Sequence, residues 1–446
     1  MGTKRRRGDG GIEENTMAIL DTYCFSKSTE HIADDRLSFL EAVRSGFLVT
    51  ENSAGPTNKM YKAIFKILRV ETSLDLIMSS YQLLLELDKR FPQAWSPFSF
   101  GTDVTSSEKQ DDHSKISGSI DAIEFHRLIE EVSKVPDQAN TEILTTEPLR
   151  NMLLFQYLVK LLEGDLVPRN LAFTEKSDWV TLRESLLNMI LVSRKITYKG
   201  LIKDCLSTIC ELSQFSTKCI HVMRPEQTGS TETTEKCHTA LALALPEVVK
   251  RTCAAVQKLL IMIIELDSSK KAADLEGWTT RADGTRTPAI EIILDELTYD
   301  KNILFPFFQA LDNPKLKLDM IVQFLKKYIP KTSVRTRRSN GSANDSTFGG
   351  VLNCFSNESS TKGIVKKISS EVAQLLLAHA FQAYILLPSE HSTESKEDTA
   401  DNSLRSICNN MISAFTCLKK ADKNSGILPF GKEALFTAAI MLARNS

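Results

Sequence analysis

The stretch PEVVKRTCAAVQKLLIMIIE, from Pro246 to Glu265, decides the fold class of this chain. Val249, Cys253, Val256, Leu260 and Ile263 recur in it at steps of four, three, four and three. That rhythm lines one face of a helix, since about 3.6 residues complete a turn. A strand would instead alternate apolar and polar residues. Pro246 fits the first helical turn, where its missing N–H leaves nothing unpaired.

The same rhythm extends outward in both directions. Asp34 is an N-cap candidate ahead of Leu37, Leu40 and Val43. Pro56-Thr57 introduces Met60, Ile64, Ile67 and Leu68, and Ser73 to Lys89 carries Leu76, Ile77, Leu83, Leu84 and Leu87. Further helices are expected over Ile120 to Val135, Leu149 to Leu162 with a stop at Gly164, Asp178 to Val192 and Thr197 to Leu212. Beyond the opening stretch they fit Pro288 to Leu297, Leu316 to Tyr328, Ile364 to Leu387, Leu404 to Leu418 and Lys432 to Leu442. No segment reads as a strand or hairpin, so the chain is expected to be all-α. Pattern alone leaves two architectures open, a helical solenoid with degenerate repeats and an irregular bundle, because no fixed repeat period is visible.

Residues 1–33 read as a disordered basic and acidic tail, and residues 34–446 as one helical body. Polar loops are expected near 102–119, 228–236, 339–347 and 389–402, where Ser, Asp, Glu, Asn and Lys replace apolar residues. Composition agrees with a globular helical protein: 42% hydrophobic, 25% charged, and only 19 Gly and 14 Pro in 446 residues. With 55 Lys and Arg against 56 Asp and Glu, overall charge points to no polyanionic partner. Nine scattered cysteines without disulfide-like spacing suit a reducing compartment. No apolar leader opens the chain, Arg6 stands where a myristoylation signal needs Ser or Thr, and the longest apolar runs are too short to cross a bilayer. A soluble, intracellular protein without a membrane role is expected.

Catalytic signatures are missing from the sequence. There is no His-Glu-x-x-His helix, no Gly-x-Ser-x-Gly elbow and no Gly-x-Gly-x-x-Gly turn. Gly431-Lys432 lacks the upstream glycine of a phosphate loop and is followed by Glu433. Neither an enzyme, a cofactor nor a small-molecule substrate is expected. Cys205, Cys210, Cys219, His221, Cys237 and His238 crowd one region, yet Cys205 and Cys210 are five apart and would point about 140° apart on a helix. Core thiols explain them better than zinc. His379, inside the apolar run Leu375 to Leu387, reads as a core histidine.

Two segments invite a binding role. From Pro314 to Arg338, Lys315, Lys317, Lys326, Lys327, Lys331, Arg335, Arg337 and Arg338 face a single acid, Asp319. Such a run could neutralise DNA phosphates or dock an acidic partner; the simpler reading is a solvated helix face over Leu318, Ile321, Val322 and Leu325. No aromatic near Arg335 to Arg338 offers a stacking platform. Lys4 to Arg7, and more weakly Arg335 to Arg338, could be read by nuclear import machinery.

The second is DLEGWTTRADGTRTPAIEIILDELTYD, Asp274 to Asp300. Thr287-Pro288 is a strong helix start, with the Thr287 hydroxyl as N-cap. Arg281, Asp283 and Arg286 are expected to form an ionic turn ahead of it, a structural brace or a partner contact.

These last residues, with PTNKMYKAIFKILR (Pro56 to Arg69), AWSPFSFG (Ala94 to Gly101), KYIPKTSVRTRR (Lys327 to Arg338) and LPFGKEALFTA (Leu428 to Ala438), carry a resemblance. The chain resembles the plant family of negative regulators of systemic acquired resistance, the suppressors of npr-inducible immunity, along most of its length. The resemblance implies a nuclear, armadillo- or HEAT-like solenoid without catalytic activity. It implies a scaffold subunit of the structural-maintenance-of-chromosomes (SMC) 5/6 complex, paired with a second non-catalytic regulatory subunit. The attached roles are the DNA-damage response, recombination and restraint of pathogenesis-related genes, with DNA reached indirectly if at all. The rival expectation is a DNA-binding transcriptional corepressor that uses the basic segment.

Overall fold

The structure is a computed structural model that describes residues 10–21, 29–49, 55–92, 94–98, 119–134, 145–176, 179–222, 232–299, 301–328, 348–355, 357–387, 397–422 and 426–444. Among the described residues there is no strand; an isolated parallel bridge joins Phe98 and Ile120. The chain is all-α and divides into two units, Met1–Ile293 and Leu294–Ser446. In a stack of helices each element touches few others, so packing can thin at one place with no linker in the sequence. That is why no composition shift announces the division within the expected body of residues 34–446.

The first unit contains α1 (Gly10–Asp21), α2 (Thr29–Arg44), α3 (Asn58–Val70), α4 (Leu74–Arg90), α5 (Ala122–Ser133) and α6 (Glu147–Lys176). It continues through α7 (Trp179–Arg183), α8 (Leu186–Leu191), α9 (Tyr198–Val222) and α10 (Glu232–Leu275), and the division falls inside α11 (Ala289–Tyr299). The second unit holds α12 (Lys301–Ala310), α13 (Pro314–Lys326), α14 (Phe348–Phe355), α15 (Glu358–Ile368), α16 (Ser370–Leu386), α17 (Glu397–Ala421) and α18 (Pro429–Arg444). Within the first unit α3 packs on α4, α9 lies against both α5 and α10, and α10 packs along α6. Within the second, α13 packs on α16, and α17 on α14, α15 and α18. Short-range stacking of irregular helices is what a solenoid with degenerate repeats requires.

Helix faces read from spacing are the faces that are buried. Met60, Ile64, Ile67 and Leu68 line the core side of α3, and the Thr57 hydroxyl caps it, accepting from Met60 N at 3.5 Å. Leu76, Ile77, Leu83, Leu84 and Leu87 do the same for α4. An aromatic spine ties α3, α5 and α6 together. Tyr61 stacks on Trp95, Phe65 meets Trp95 and Tyr157, and Phe125 stacks on Phe155 at 6.1 Å. Such pairs add to the large area each ring buries.

Several boundaries differ from expectation. The expected tail 1–33 contains α1 and the first turns of α2, since Thr16 is buried and Met17, Ile19 and Leu20 are half-buried as α1 packs on α2. Gly164 does not stop α6, and Pro168 sits inside the same helix. Proline removes one backbone bond, but buried Leu158, Leu162, Leu166 and Phe173 hold both halves in place, and packing outweighs propensity. Pro246 likewise lies inside α10 rather than in its first turn. The expected helix Asp178 to Val192 is split because the Ser185 hydroxyl accepts from Asn188 N at 3.3 Å and restarts the chain as α8. Ser369, at φ 70°, splits Ile364 to Leu387 in the same way. The expected loop 339–347, and that at 102–119 except for Ser119, lie outside the described residues, while α10 and α17 take up the ends of the loops expected at 228–236 and 389–402. At Gly431 a Cβ would come 2.7 Å from the Phe415 ring, so glycine is what lets α18 approach α17.

Candidate functional site

The segment between α10 and α11 is held by a buried polar cluster. Helix α10 ends as its backbone turns at Gly277, φ 74°. Gly277 N donates to Asp274 O at 3.3 Å and Trp278 N to Ala273 O at 2.9 Å, the paired bonds of a Schellman stop. Trp278 then packs edge-on to Phe173 of α6. Arg281–Asp283 form one 3-10 turn, in which the Asp283 carboxylate accepts from Thr280 N at 2.7 Å and Thr280 Oγ1 at 2.9 Å.

The expected ionic turn of Arg281, Asp283 and Arg286 is not a local one. Asp283 accepts from Trp179 Nε1 at 3.1 Å and lies 4.0 Å from Arg183, both on α7. Burial alone would raise its carboxyl, but the bonds from Thr280 and Trp179 and the Arg183 charge hold it below the usual range. Arg286 turns to Asp267 of α10, with Nε and Nη2 each 2.7 Å from Oδ1, and its guanidinium lies 4.9 Å from the centre of the Tyr198 ring. Arg281 is exposed and makes no ion pair among the described residues. Thr287 is exposed too, and the cap expected of its hydroxyl comes from Asp267, whose Oδ2 accepts from Ala289 N at 2.7 Å.

Asp267 is therefore the centre of the cluster. Beyond Arg286 and Ala289 it accepts from the Tyr198 hydroxyl of α9 at 2.5 Å. Burial, then the Asp267 charge, push the Tyr198 phenol far above its usual range. Lys270, one turn on, donates to Gly284 O at 2.8 Å. Both side chains continue the apolar stripe that passes through Leu260 and Ile263, and both are buried. A carboxylate and an ammonium in an apolar register are the signal that could have found them.

The basic segment does not present one stripe in its described half. Lys331, Arg335, Arg337 and Arg338 lie outside the described residues. Lys315 and Lys326 are eleven positions apart, about 20° in rotation and about 16 Å along α13, so they share a face, with Asp319 between them. Lys317 is about 200° away in rotation from Lys315 and half-buried; burial lowers its ammonium pKa while Asp312 opposes the shift. Lys327 is engaged with Asp295 at 2.9 Å.

The remaining sequence candidates resolve simply. Cys205 and Cys210 are buried in α9, where burial pushes the Cys205 thiol up; the side chains of Cys219, His221, Cys237 and His238 lie outside the described residues. His379 is pulled down to about 4 by burial and then by the Lys317 charge, and its Nδ1 finds no hydrogen-bond partner among the described residues. The folded chain thus holds fewer protons than the unfolded chain, where the usual value is 6.5. Stability is expected to fall as pH drops from 6.5 towards 4, by on the order of 2–3 kcal/mol at the end of that window. Acid titration of unfolding checks this: His379→Leu should flatten that limb of the curve.

A polar cleft of about 250 Å³ is lined by Arg69, Glu124, Arg127, Glu131, Arg150 and Asn151, among others. Its charges are satisfied by one another: Arg69 pairs with Glu124, Arg127 with Glu124 and Glu131, Arg150 with Glu147, and Asn151 donates to Glu131.

Comparison with known proteins matches the chain to two profiles of one family, the SNI1 middle domain over residues 82–313 and the SNI1 C-terminal domain over residues 329–446. The Arabidopsis thaliana protein named negative regulator of systemic acquired resistance SNI1 is 43% identical over 450 aligned residues, which cover 97% of this chain and 95% of that protein. No solved structure matches.

Proposed function

The chain belongs to the SNI1 family, and from that membership we propose that it is a non-catalytic nuclear adaptor that restrains systemic acquired resistance and pathogenesis-related gene expression. It does so as a scaffold subunit of the SMC 5/6 complex, beside a second non-catalytic regulatory subunit, and serves the DNA-damage response and recombination. The observation that carries the regulatory part is 43% identity along 97% of the chain with a protein named for that role. The helical stack supports the scaffold part, because such folds offer long surfaces without a buried reaction chamber.

Complementation tests the proposal. Expressed in Arabidopsis thaliana lacking its SNI1 protein, this chain should return pathogenesis-related transcripts to their repressed level. Transcripts left as high as in the mutant would overturn the regulatory reading.

A second reading, a DNA-binding corepressor, is favoured by the density of Lys331, Arg335, Arg337 and Arg338. Salt-dependent binding of the purified chain to duplex DNA separates the two. On the adaptor reading, reversing Lys326, Lys327, Arg335 and Arg337 is expected to leave DNA affinity within about twofold and its salt slope unchanged. A salt slope that falls by about one for each phosphate-binding side chain reversed would support the corepressor.

A further inference from the structure

We propose that His126, Glu130 and Asp204 form a divalent-cation site, suited to zinc, that clamps α5 to α9. One ligand atom from each residue lies within 4.8 Å of the other two. His126 and Glu130 stand one turn apart on α5, so both project towards the same neighbour, while Asp204 comes from α9. The two helices are packed together, and the site draws on both. The His126 ring also reaches the first turn of α9 at Gly200, where its Cε1 would lie in ordinary contact, 3.9 Å, with an added Cβ.

The geometry asks for a cation. His126 Nε2 is 2.6 Å from Asp204 Oδ2, so the one ring nitrogen facing the cluster is already engaged by one carboxylate. The Glu130 carboxylate has no hydrogen bond or ion pair among the described residues, yet it approaches the same point. Two carboxylates converge on one imidazole, and the single N–H at its Nε2 cannot serve both. A divalent ion satisfies all three: it displaces the proton between His126 and Asp204 to Nδ1 or to solvent, balances both carboxylate charges and takes one donor from each residue.

The donor set selects the ion. Imidazole is a poor ligand for calcium or magnesium, which take oxygen donors, whereas one imidazole with two carboxylates suits zinc, cobalt or manganese. Three protein ligands leave a fourth tetrahedral position for water. His126 and Asp204 are half-buried and Glu130 is exposed, so the ion can enter from solvent and the side chains can open to bonding distance.

Cobalt(II) is the probe, because its spectrum tells oxygen and nitrogen ligands from the thiolates that this cysteine-containing chain also offers. Titration of the full-length protein should give visible bands of one bound cobalt without thiolate charge-transfer absorption, and zinc should displace it. Glu130→Gln and His126→Gln should each weaken that binding by more than about tenfold, with helicity unchanged. Saturating zinc should raise the melting temperature of the wild type and not of either variant. Binding that survives both substitutions, a thiolate-dominated spectrum, or no binding in the wild type would each overturn the site. If Glu130→Gln stabilises the metal-free protein and zinc leaves the wild type's melting point unmoved, the cluster is only a repulsive pair and the proposal fails.

Discussion

Asp267→Ala is expected to lower the stability of the first unit by about 3–5 kcal/mol, the cost of leaving a buried charge without its partner. The substitution strands the Arg286 guanidinium, whose side chain is 13% exposed against 7% for Asp267. It also takes the acceptor from the Tyr198 hydroxyl and from Ala289 N at the start of α11. Chemical denaturation followed by circular dichroism measures the loss. Asp267→Asn keeps the shape and some hydrogen bonds but not the charge, so its effect should fall between wild type and alanine. The double replacement Asp267→Leu with Arg286→Met should recover most of the loss, because an apolar pair leaves no orphan. Arg281→Ala is the matched control: an exposed arginine with no ion pair should change stability by less than about 0.5 kcal/mol. If Arg281→Ala and Asp267→Ala proved equally costly, Asp267 would not be the centre of the cluster.

Phe125→Ala should cost about 3–5 kcal/mol, for a different reason. Phe125 is fully buried, stacks on Phe155 and meets Phe98 edge-on, so truncation opens a cavity where α5 joins α6. Phe125→Leu should lose far less, since it refills most of that space. The same denaturation measurement separates the two, and equal losses for Ala and Leu would mean that ring stacking rather than volume sets the energy. Because α5 carries His126 and Glu130, the alanine variant should also loosen the proposed cation site, while Phe125→Leu should keep it.

How much of this can be read from residues alone depends on the range of the interaction. The buried faces of α3, α4 and α10 follow from spacing within one helix, and local periodicity is a property of the sequence itself. Thr57, as a cap acting three residues away, is equally legible. Gly164, Pro168 and Pro246 mislead because their propensities are local while the burial that overrides them is not. The splits at Ser185 and Ser369 depend on side-chain caps that a continuous apolar pattern conceals.

The turn before α11 shows the same limit more sharply. Its sequence singles out Arg281, Asp283, Arg286 and Thr287, but suggests that they pair with each other. The actual partners of Asp283 and Arg286 lie 104 residues away at Trp179 and 19 away at Asp267. Asp267, 69 residues from Tyr198, joins three elements. Only its place in the apolar register of α10 hints at that. The basic segment reads as a stripe because its composition is basic, whereas the helical rotation from Lys315 to Lys317 puts those two lysines on opposite sides.

Affinity purification of the tagged, full-length chain from plant nuclei, with mass-spectrometric identification of co-purifying proteins, tests the adaptor reading most directly. The account predicts recovery of SMC 5/6 subunits, including a second non-catalytic regulatory subunit in amounts close to the bait, and their absence from an untagged control. Abundant, folded bait recovered without any subunit of that complex would contradict it.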